Sequence, residues 1–298
     1  MTDGFINFLK PPGMTSHDAV GYVRRVLGMK KAGHAGTLDP GAAGVLPIAV
    51  GRATRFLEYV GDAGKTYRAE LCFGVETDSG DDLGEVVAES GAAMPDEEAL
   101  ARAVRSLTGE ISQTPPIYSA VKIGGRRACD LARENETVEL PARRVTVYRL
   151  EIVARDEREK KLLLEIDCSK GTYIRSLCRD LGRAVGVPAL MAFLVRRRVG
   201  DFSLEAAHTP EELESLGRAA VEPPEVYLSH LARYELPEAR GRAFLHGLPT
   251  RIDERLDETA PIAIFSGGAF LGVGRYEETS SSLVAEKVYG SGKEQSGA

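Results

Sequence analysis

One aspartate stands alone in a loop rich in glycine. The stretch GHAGTLDPGAAGVLP, residues 33–47, contains Asp39 as its only acid, together with four glycines and two prolines. This density of glycine and proline disfavours a helix or a regular strand. A carboxylate in such a loop either organises a turn, as aspartate before proline often does, or meets a substrate that the glycines allow close to the backbone. The loop by itself leaves both interpretations open.

Two other segments contain side chains that could act with this acid. CSKGTYIRSL places Tyr173 and Arg175 at the start of a predicted helix, and KTYRAEL places Tyr67 on a predicted strand. Arg175 is either an ordinary surface arginine or an inward partner of a buried carboxylate, in which case it would lower the pKa of the acid and keep it anionic. A tyrosine on a strand more often packs in the core than takes part in chemistry.

The loop itself offers few other polar groups. His34 and Thr37 lie near Asp39 in the sequence, but the loop contains no lysine and no Walker pattern. It therefore does not have the residues of a phosphate-binding loop.

Apolar spacing predicts the elements that must position these residues. GFINFLK is predicted as a strand and is followed, after a Pro-Pro-Gly turn, by a helix with Ser16 as its N-cap. RVTVYRLEIVARD and KKLLLEIDCSKG are typical of a hairpin of two long strands, and GTYIRSLCRDLGRAVG of a helix. Because the regular βαβ alternation is missing, the order favours an α+β fold with a mixed, largely antiparallel sheet flanked by helices.

The connecting segments differ in character. ETDSGDDLGEVV is predicted as an acidic connection, a helix follows with Asp96 as its N-cap, and residues 113–140 are irregular and basic, which indicates an extended loop or insertion. AAVEPPEVYLSHL marks a linker. Beyond it, ARGRAFLHGLPTRI and the segments that follow predict short strands with a hairpin turn at Gly267–Gly268, and SGKEQSGA is predicted as a disordered tail.

Composition limits the class of protein. The chain has 298 residues, of which 43% are hydrophobic and 28% charged, as in ordinary soluble proteins. No apolar run approaches the roughly 20 residues that span a bilayer, and the N-terminus does not resemble a signal peptide. The four cysteines form no C-x-x-C pair. We therefore expect a cytoplasmic protein with free thiols, no membrane association and no bound metal.

Charge is distributed unevenly along the chain. Residues from 201 onward contain 9 basic and 17 acidic side chains, whereas the first 200 residues contain 29 basic and 27 acidic ones. Basic residues cluster in the first part, as at Arg126–Arg127 and in the run Arg196–Arg197–Arg198. Such clusters are either solvated surface or faces that bind phosphates of a nucleic acid.

Several motifs together resemble a known enzyme family. GHAGTLDPGAAGVLPIAVGRATRF resembles the catalytic motif of the TruB family of pseudouridine synthases, and the flanking segments match in order: FLKPPGMTSHDAV, KTYRAELCFGVETDSGD, QTPPIYSAVKIGGRRACDLAR, CSKGTYIRSLCRDLG and FLVRRRVGDF. These segments extend through essentially the first 200 residues. The C-terminal β module is similar to the PUA-type RNA-binding domain of the family.

The resemblance implies a reaction and a set of site residues. The family isomerises a uridine in the T-arm of tRNA, position 55, to pseudouridine without cofactor or metal, after flipping the base out of its stack. It implies Asp39, Tyr67 and Arg175 as the catalytic residues. The implied substrate-binding residues are Lys10, His34, Thr37, Tyr173 and Leu194, with His34 in the space that the flipped base vacates.

The resemblance also implies a domain division and a partner. We expect a catalytic domain over residues 1–225 with a thumb-like insertion at about 124–144, a PUA-like domain with a small barrel-like sheet over 229–291, and a tail over 292–298. The expected partner is the T-arm of tRNA, with a monomeric enzyme and no obligate protein partner. The alternatives are a guide-RNA-dependent synthase of the Cbf5/dyskerin type, an RNA-folding protein whose catalysis is secondary, and a glycosidase-like enzyme that would release free uracil.

Overall fold

A computed structural model describes residues 3–119, 121–134 and 140–290. These residues form one nine-stranded sheet, one five-stranded sheet, two two-stranded sheets and seven α-helices. The helices are α1 Ser16–Leu27, α2 Leu57–Gly61, α3 Glu97–Ser106, α4 Ala128–Arg133, α5 Ile174–Ala184, α6 Pro210–Leu216 and α7 Glu238–Leu245. Within the described ranges, no helix is long and apolar enough to cross a membrane.

The larger sheet has nine strands and forms the body of the protein. Its strands are β1 Gly4–Lys10, β2 Ala32–His34, β3 Ala43–Val50, β4 Lys65–Phe73, β7 Gly109–Gln113, β10 Arg143–Asp156, β11 Lys161–Cys168, β12 Ala189–Val199 and β13 Phe202–Ser203. They are ordered β1-β3-β12-β4-β11-β10-β7, with β2 on β3 and β13 on β12. Every pairing is antiparallel except the short parallel contact between β12 and β3. The α+β fold with a mixed, largely antiparallel sheet is thereby confirmed.

One face of this sheet is covered by helices. Tyr67, Ala69, Leu71 and Phe73 alternate along β4 with less buried residues, as expected for a strand with one face in the core. They pack with apolar residues of α3 and α5 in one continuous cluster. Tyr67 lies on this covered face and the start of α5 packs against it. The packing therefore brings two of the predicted site segments together.

Helix starts were predicted with mixed success. Asp96 is the N-cap of α3, as expected, because its carboxylate accepts a hydrogen bond from the Ala99 amide at 2.7 Å. The N-cap of α1 is Thr15 and not Ser16. Thr15 and Asp18 form a reciprocal capping box that satisfies two backbone amides, which is a stronger cap than a lone serine.

The acidic connection after β4 is more regular than the sequence suggested. It forms a two-stranded hairpin of β5 Val75–Thr77 and β6 Val86–Glu89. The insertion after β7 also contains structure, namely the pair β8 Lys122–Ile123 and β9 Arg126–Arg127, followed by α4. Residues 135–139 of the predicted thumb and the predicted tail over 292–298 lie outside the described residues.

The smaller sheet contains the C-terminal strands. These are β14 Ala232–Glu235, β15 Thr250–Arg251, β16 Ile262–Ser266, β17 Ala269–Glu277 and β18 Ser282–Val288. Gly267 and Gly268 form the predicted hairpin turn between β16 and β17, each with positive φ. The expectation of strands throughout was wrong at residues 238–245, which form α7. Phe244 of this helix is fully buried and Gly241 lies close against Ser266, so tertiary packing favours the helix.

Candidate active site

The loop between β2 and β3 places Asp39, and a serine from α1 fixes the residue before it. The buried hydroxyl of Ser16 donates to the Leu38 carbonyl at 3.0 Å and accepts from the Leu38 amide at 2.8 Å. Both backbone groups of the residue preceding the acid are therefore satisfied by one side chain. A loop that has few bonds of its own gains a defined conformation from this contact.

Lys10 fixes the residue after the acid. Its side chain is fully buried, and the ammonium donates to the carbonyls of Met14 at 2.7 Å, Pro11 at 2.9 Å and Pro40 at 3.3 Å. All three donor directions of the ammonium are directed at backbone oxygens. Burial lowers the pKa of Lys10 to about 8, although the charge of Asp39 opposes the shift.

Arg175, at the start of α5, holds the Asp39 carboxylate directly. Its Nε lies 2.9 Å from Oδ2 of Asp39 and 3.7 Å from Oδ2 of Asp81. Its two terminal nitrogens donate to the carbonyls of Ser79 at 2.9 Å and Tyr118 at 2.8 Å. The guanidinium is thus buried with its orientation set by two backbone segments, and it faces two carboxylates.

The net effect on Asp39 is opposite to the sequence-based expectation. Burial raises the pKa of Asp39 above its ordinary value, Arg175 opposes this, and the nearby negative charge of Asp81 adds to it. Arg175 lowers the pKa of Asp39 as expected, but desolvation and the charge of Asp81, which the expectation did not consider, outweigh it. A carboxylate held in this way is less strongly stabilised as an anion than one paired with arginine in water.

Tyr67 lies at the base of the site on β4 and contacts a second buried arginine. Burial raises the pKa of the Tyr67 hydroxyl, and the positive charge of Arg196, the cross-strand partner of Tyr67, opposes the shift. The Arg196 side chain also donates to the carbonyls of Val45 at 2.8 Å, Gly36 at 3.0 Å and Thr37 at 3.4 Å. It therefore connects the tyrosine to the loop that carries Asp39.

Sequence reasoning missed Arg196 and Asp81. The run at 196–198 was interpreted as either solvated surface or a phosphate-binding face, whereas Arg196 is among the most buried side chains of the protein. A signal was present: Arg196 follows Leu194 by two positions on one strand, and residues two apart on a strand face the same side. Asp81 carried no comparable signal, since it belongs to a run of acidic residues.

A cavity of about 290 Å³ opens beside the carboxylate. Six of the eight predicted site residues line it: Thr37, Asp39, Tyr67, Tyr173, Arg175 and Leu194. Thr37 is exposed, Tyr173 is half-buried and Leu194 is buried. Tyr173 is fixed by Gln113, whose side-chain oxygen accepts from the Tyr173 amide at 2.7 Å. Lys10 and His34 do not line the cavity.

His34 lies on β2, where it pairs with Ile48 of β3. The residue is half-buried, and burial together with the positive charge of Arg196 lowers the pKa of its imidazole. The neutral imidazole is thus favoured at neutral pH. A neutral ring suits a role in packing or stacking better than a role as a cation.

A second cavity of about 610 Å³ lies on the other side of Asp39 and Arg175. Its acidic lining residues are Asp39, Asp78, Asp81 and Glu85. The Asp39 carboxylate therefore lies where the two cavities meet, partly exposed and held from one side by Arg175. Among the residues that the structure describes, no group of three or more His, Cys, Asp or Glu is placed to hold a metal ion.

This arrangement suits chemistry at a single carbon centre. One oriented carboxylate next to a cavity lined by tyrosine and leucine can attack or stabilise a sugar carbon while a planar base occupies the cavity.

Two protein-family models match the chain. The model of the TruB family pseudouridylate synthase N-terminal domain matches residues 24–174, and that of the tRNA pseudouridylate synthase B C-terminal domain matches residues 175–232.

The chain belongs to the TruB family of pseudouridylate synthases.

Two relatives agree with the TruB assignment, and one solved structure has a similar fold. A protein named tRNA pseudouridine synthase B from Symbiobacterium thermophilum is 49% identical over 83% of this chain and 82% of its own length. A protein of the same name from Caldanaerobacter subterraneus is 43% identical over 91% and 94%. The crystal structure of a Cbf5-Nop10-Gar1 complex contains a chain with a TM-score of 0.78 and 28% identity, covering 97% of this chain and 86% of that one.

Proposed function

We propose that this protein isomerises the uridine at position 55 in the T-loop of tRNA to pseudouridine. The observation that carries the proposal is the Asp39 carboxylate, held at 2.9 Å by the buried Arg175 and facing a cavity that Tyr67 also lines. Relatives that cover most of the chain are named tRNA pseudouridine synthase B, which supports tRNA as the substrate.

The reaction breaks the C1′–N1 bond of the target uridine and forms a C1′–C5 bond, after which C5 loses its proton and N1 gains one, so that the product is an isomer of the substrate. Asp39 acts at C1′, either as a nucleophile or by stabilising positive charge, as carboxylates do in glycoside cleavage. The flipped uracil occupies the cavity between Tyr67 and Leu194, and Tyr173 closes one side. Because the pKa of Tyr67 is raised, the tyrosine serves first to position the base by contact.

The remaining predicted residues support this site. Lys10 acts on the loop and not on the RNA, since its three donors are directed at backbone carbonyls. Thr37 is exposed at the cavity mouth, where it meets the ribose or its phosphate. His34 stacks in the space left by the flipped nucleotide. Basic residues of the insertion around 124–144 contact phosphates, so affinity falls as salt concentration rises.

The proposed enzyme works alone. We propose a catalytic domain over residues 1–225 and an RNA-binding domain over 229–291, with activity in the cytoplasm as a monomer and without cofactor. The likeness in fold to Cbf5 favours a second candidate, a synthase that needs guide RNA and protein partners. Pseudouridine formation by the purified chain on an unmodified tRNA transcript, without guide RNA or other proteins, would support the first candidate and exclude the second.

Asp39→Asn tests the chemistry. The variant keeps the size of the side chain and one oxygen but loses the charge, so we expect no turnover while tRNA binding is kept within a few-fold. Pseudouridine is measured in the transcript after single-turnover incubation, and binding is measured by filter retention.

Three results would contradict the proposal. Wild-type protein that binds the transcript without forming pseudouridine would reduce it to an RNA-binding or RNA-folding role. Release of free uracil would indicate glycosidase chemistry. An Asp39→Asn variant with near wild-type turnover would exclude Asp39 as the catalytic acid.

A further inference from the structure

Arg196 combines complete burial with contacts to two separate parts of the site. Only 1% of the residue is exposed, yet it is charged and does not form an ion pair within hydrogen-bond distance among the described contacts. A buried cation is costly unless its donors are satisfied. The structure satisfies all three guanidinium nitrogens with backbone carbonyls, so the charge of Arg196 is held without a bonded carboxylate.

The carbonyls that it binds lie at both ends of the catalytic loop. Gly36 and Thr37 precede Asp39 by three and two residues, and Val45 lies on β3 after the loop. The main chain of Arg196 adds a further restraint, since it pairs in parallel with Gly44. One residue therefore fixes the loop on both sides of the carboxylate, through its side chain and its backbone.

Tyr67 is the cross-strand partner of Arg196, and the positive charge of the guanidinium opposes the rise in the pKa of its hydroxyl. Because a guanidinium group donates hydrogen bonds and does not accept them, the Tyr67 oxygen can meet it only as an acceptor. The hydroxyl proton of Tyr67 must then point elsewhere, and the cavity that both residues line offers the open direction. A lysine could not provide the same set of contacts, because its donors diverge from one nitrogen, whereas arginine presents five N–H groups in a planar fork.

We propose that Arg196 is a positioning residue that aligns Asp39 and Tyr67 with each other and directs the Tyr67 hydroxyl proton into the cavity, toward the uracil. The inference rests on the proposed function, because it assigns a role in that reaction. The titratable groups that face Arg196 are Asp39, Lys10, Lys65, Tyr67 and the neutral imidazole of His34. The ammonium groups of Lys10 and Lys65 are themselves held by backbone carbonyls.

Arg196→Lys is the test variant and Arg197→Lys is its matched control. Arg197 is the next residue on β12, but it lies on the other face of the sheet and pairs with Glu165 at 2.9 Å and Glu205 at 3.3 Å. We expect Arg196→Lys to lower the single-turnover rate on the tRNA transcript about 100-fold, as for a displacement of about 1 Å at a reacting group. Transcript affinity should change less than about three-fold, and the control should keep its rate.

A double-mutant cycle with Tyr67→Phe separates positioning from general damage. If Arg196 acts partly through the Tyr67 hydroxyl, Arg196→Lys costs less in the Tyr67→Phe background than in wild type. Equal rate losses in the two backgrounds would overturn the role toward Tyr67. An Arg196→Lys rate within about three-fold of wild type would overturn the whole inference while leaving the proposed function intact, because wild type would still form pseudouridine.

A measurement on folded protein covers the case in which Arg196 variants do not fold. Nitrogen NMR of arginine-labelled wild type should show a restrained guanidinium whose terminal nitrogens give separate signals, and these signals should shift in Tyr67→Phe. The Arg197 signals serve as an internal reference and should not change. Unshifted Arg196 signals in Tyr67→Phe would refute the contact on which the inference depends.

Discussion

Lys10 allows a sharp test of how the catalytic loop is held. The perturbation is Lys10→Met, which keeps the length of the side chain and removes the ammonium. At neutral pH the variant loses three hydrogen bonds to carbonyls and also loses the cost of a buried charge, so the two effects oppose each other. The difference between the two proteins as a function of pH isolates the cost of the charge.

The magnitude follows from the pKa of the group. Burial lowers the pKa of Lys10 from 10.5 to about 8. Below about pH 8 the folded and unfolded states both hold the proton and the penalty is present in full. Between about 8 and 10.5 the unfolded state binds more protons than the folded state, so stability rises with pH. Relative to Lys10→Met, the wild type should gain about 2.5 kcal/mol between about pH 7 and pH 10.

The assay is urea-induced unfolding of both proteins across this pH range. Other groups that titrate, among them Lys65 with a pKa of about 8, are common to the two proteins and cancel in the difference. The transcript assay near pH 7 gives a second readout, because loss of the bond to Pro40 should slow the reaction. If the difference in unfolding free energy between the two proteins stayed constant from pH 7 to 10, the conclusion that burial lowers the pKa of Lys10 would be wrong.

Two further substitutions test the loop and the pKa of its acid. In Gly44→Ala the new Cβ would lie 2.2 Å from the Arg196 carbonyl oxygen at φ +115°, so unfolding free energy should fall by about 3 kcal/mol or more. Gly41→Ala in the same loop is the matched control, because its new Cβ would lie at an ordinary contact distance of 3.9 Å from Cδ1 of Leu83. Equal melting temperatures of the two variants would contradict the clash. Asp81→Asn removes a charge that raises the pKa of Asp39, so the acid limb of the pH–rate profile should move to lower pH. If the acid limb of the pH–rate profile did not move, an effect of the Asp81 charge on the pKa of Asp39 would be excluded.

Sequence alone determined the catalytic candidates and the framework that carries them. Asp39, Tyr67 and Arg175 each stand in a distinct motif, and the strand and helix patterns around them depend on local periodicity that is visible in any single chain. The hairpin of β10 and β11, the helix α5 and the turn at Gly267–Gly268 followed from such patterns.

Only the tertiary structure decided the electrostatics of the site. The pKa of Asp39 depends on burial and on Asp81, which is distant in sequence and comes to Arg175 through the β5–β6 hairpin. In the sequence Arg196 cannot be distinguished from the two arginines that follow it. In the structure, the parallel pairing of β12 with β3 buries it beneath the catalytic loop. The desolvation of a group and its charge interactions depend on every residue that the folded chain places around it, so no local sequence pattern predicts the resulting pKa.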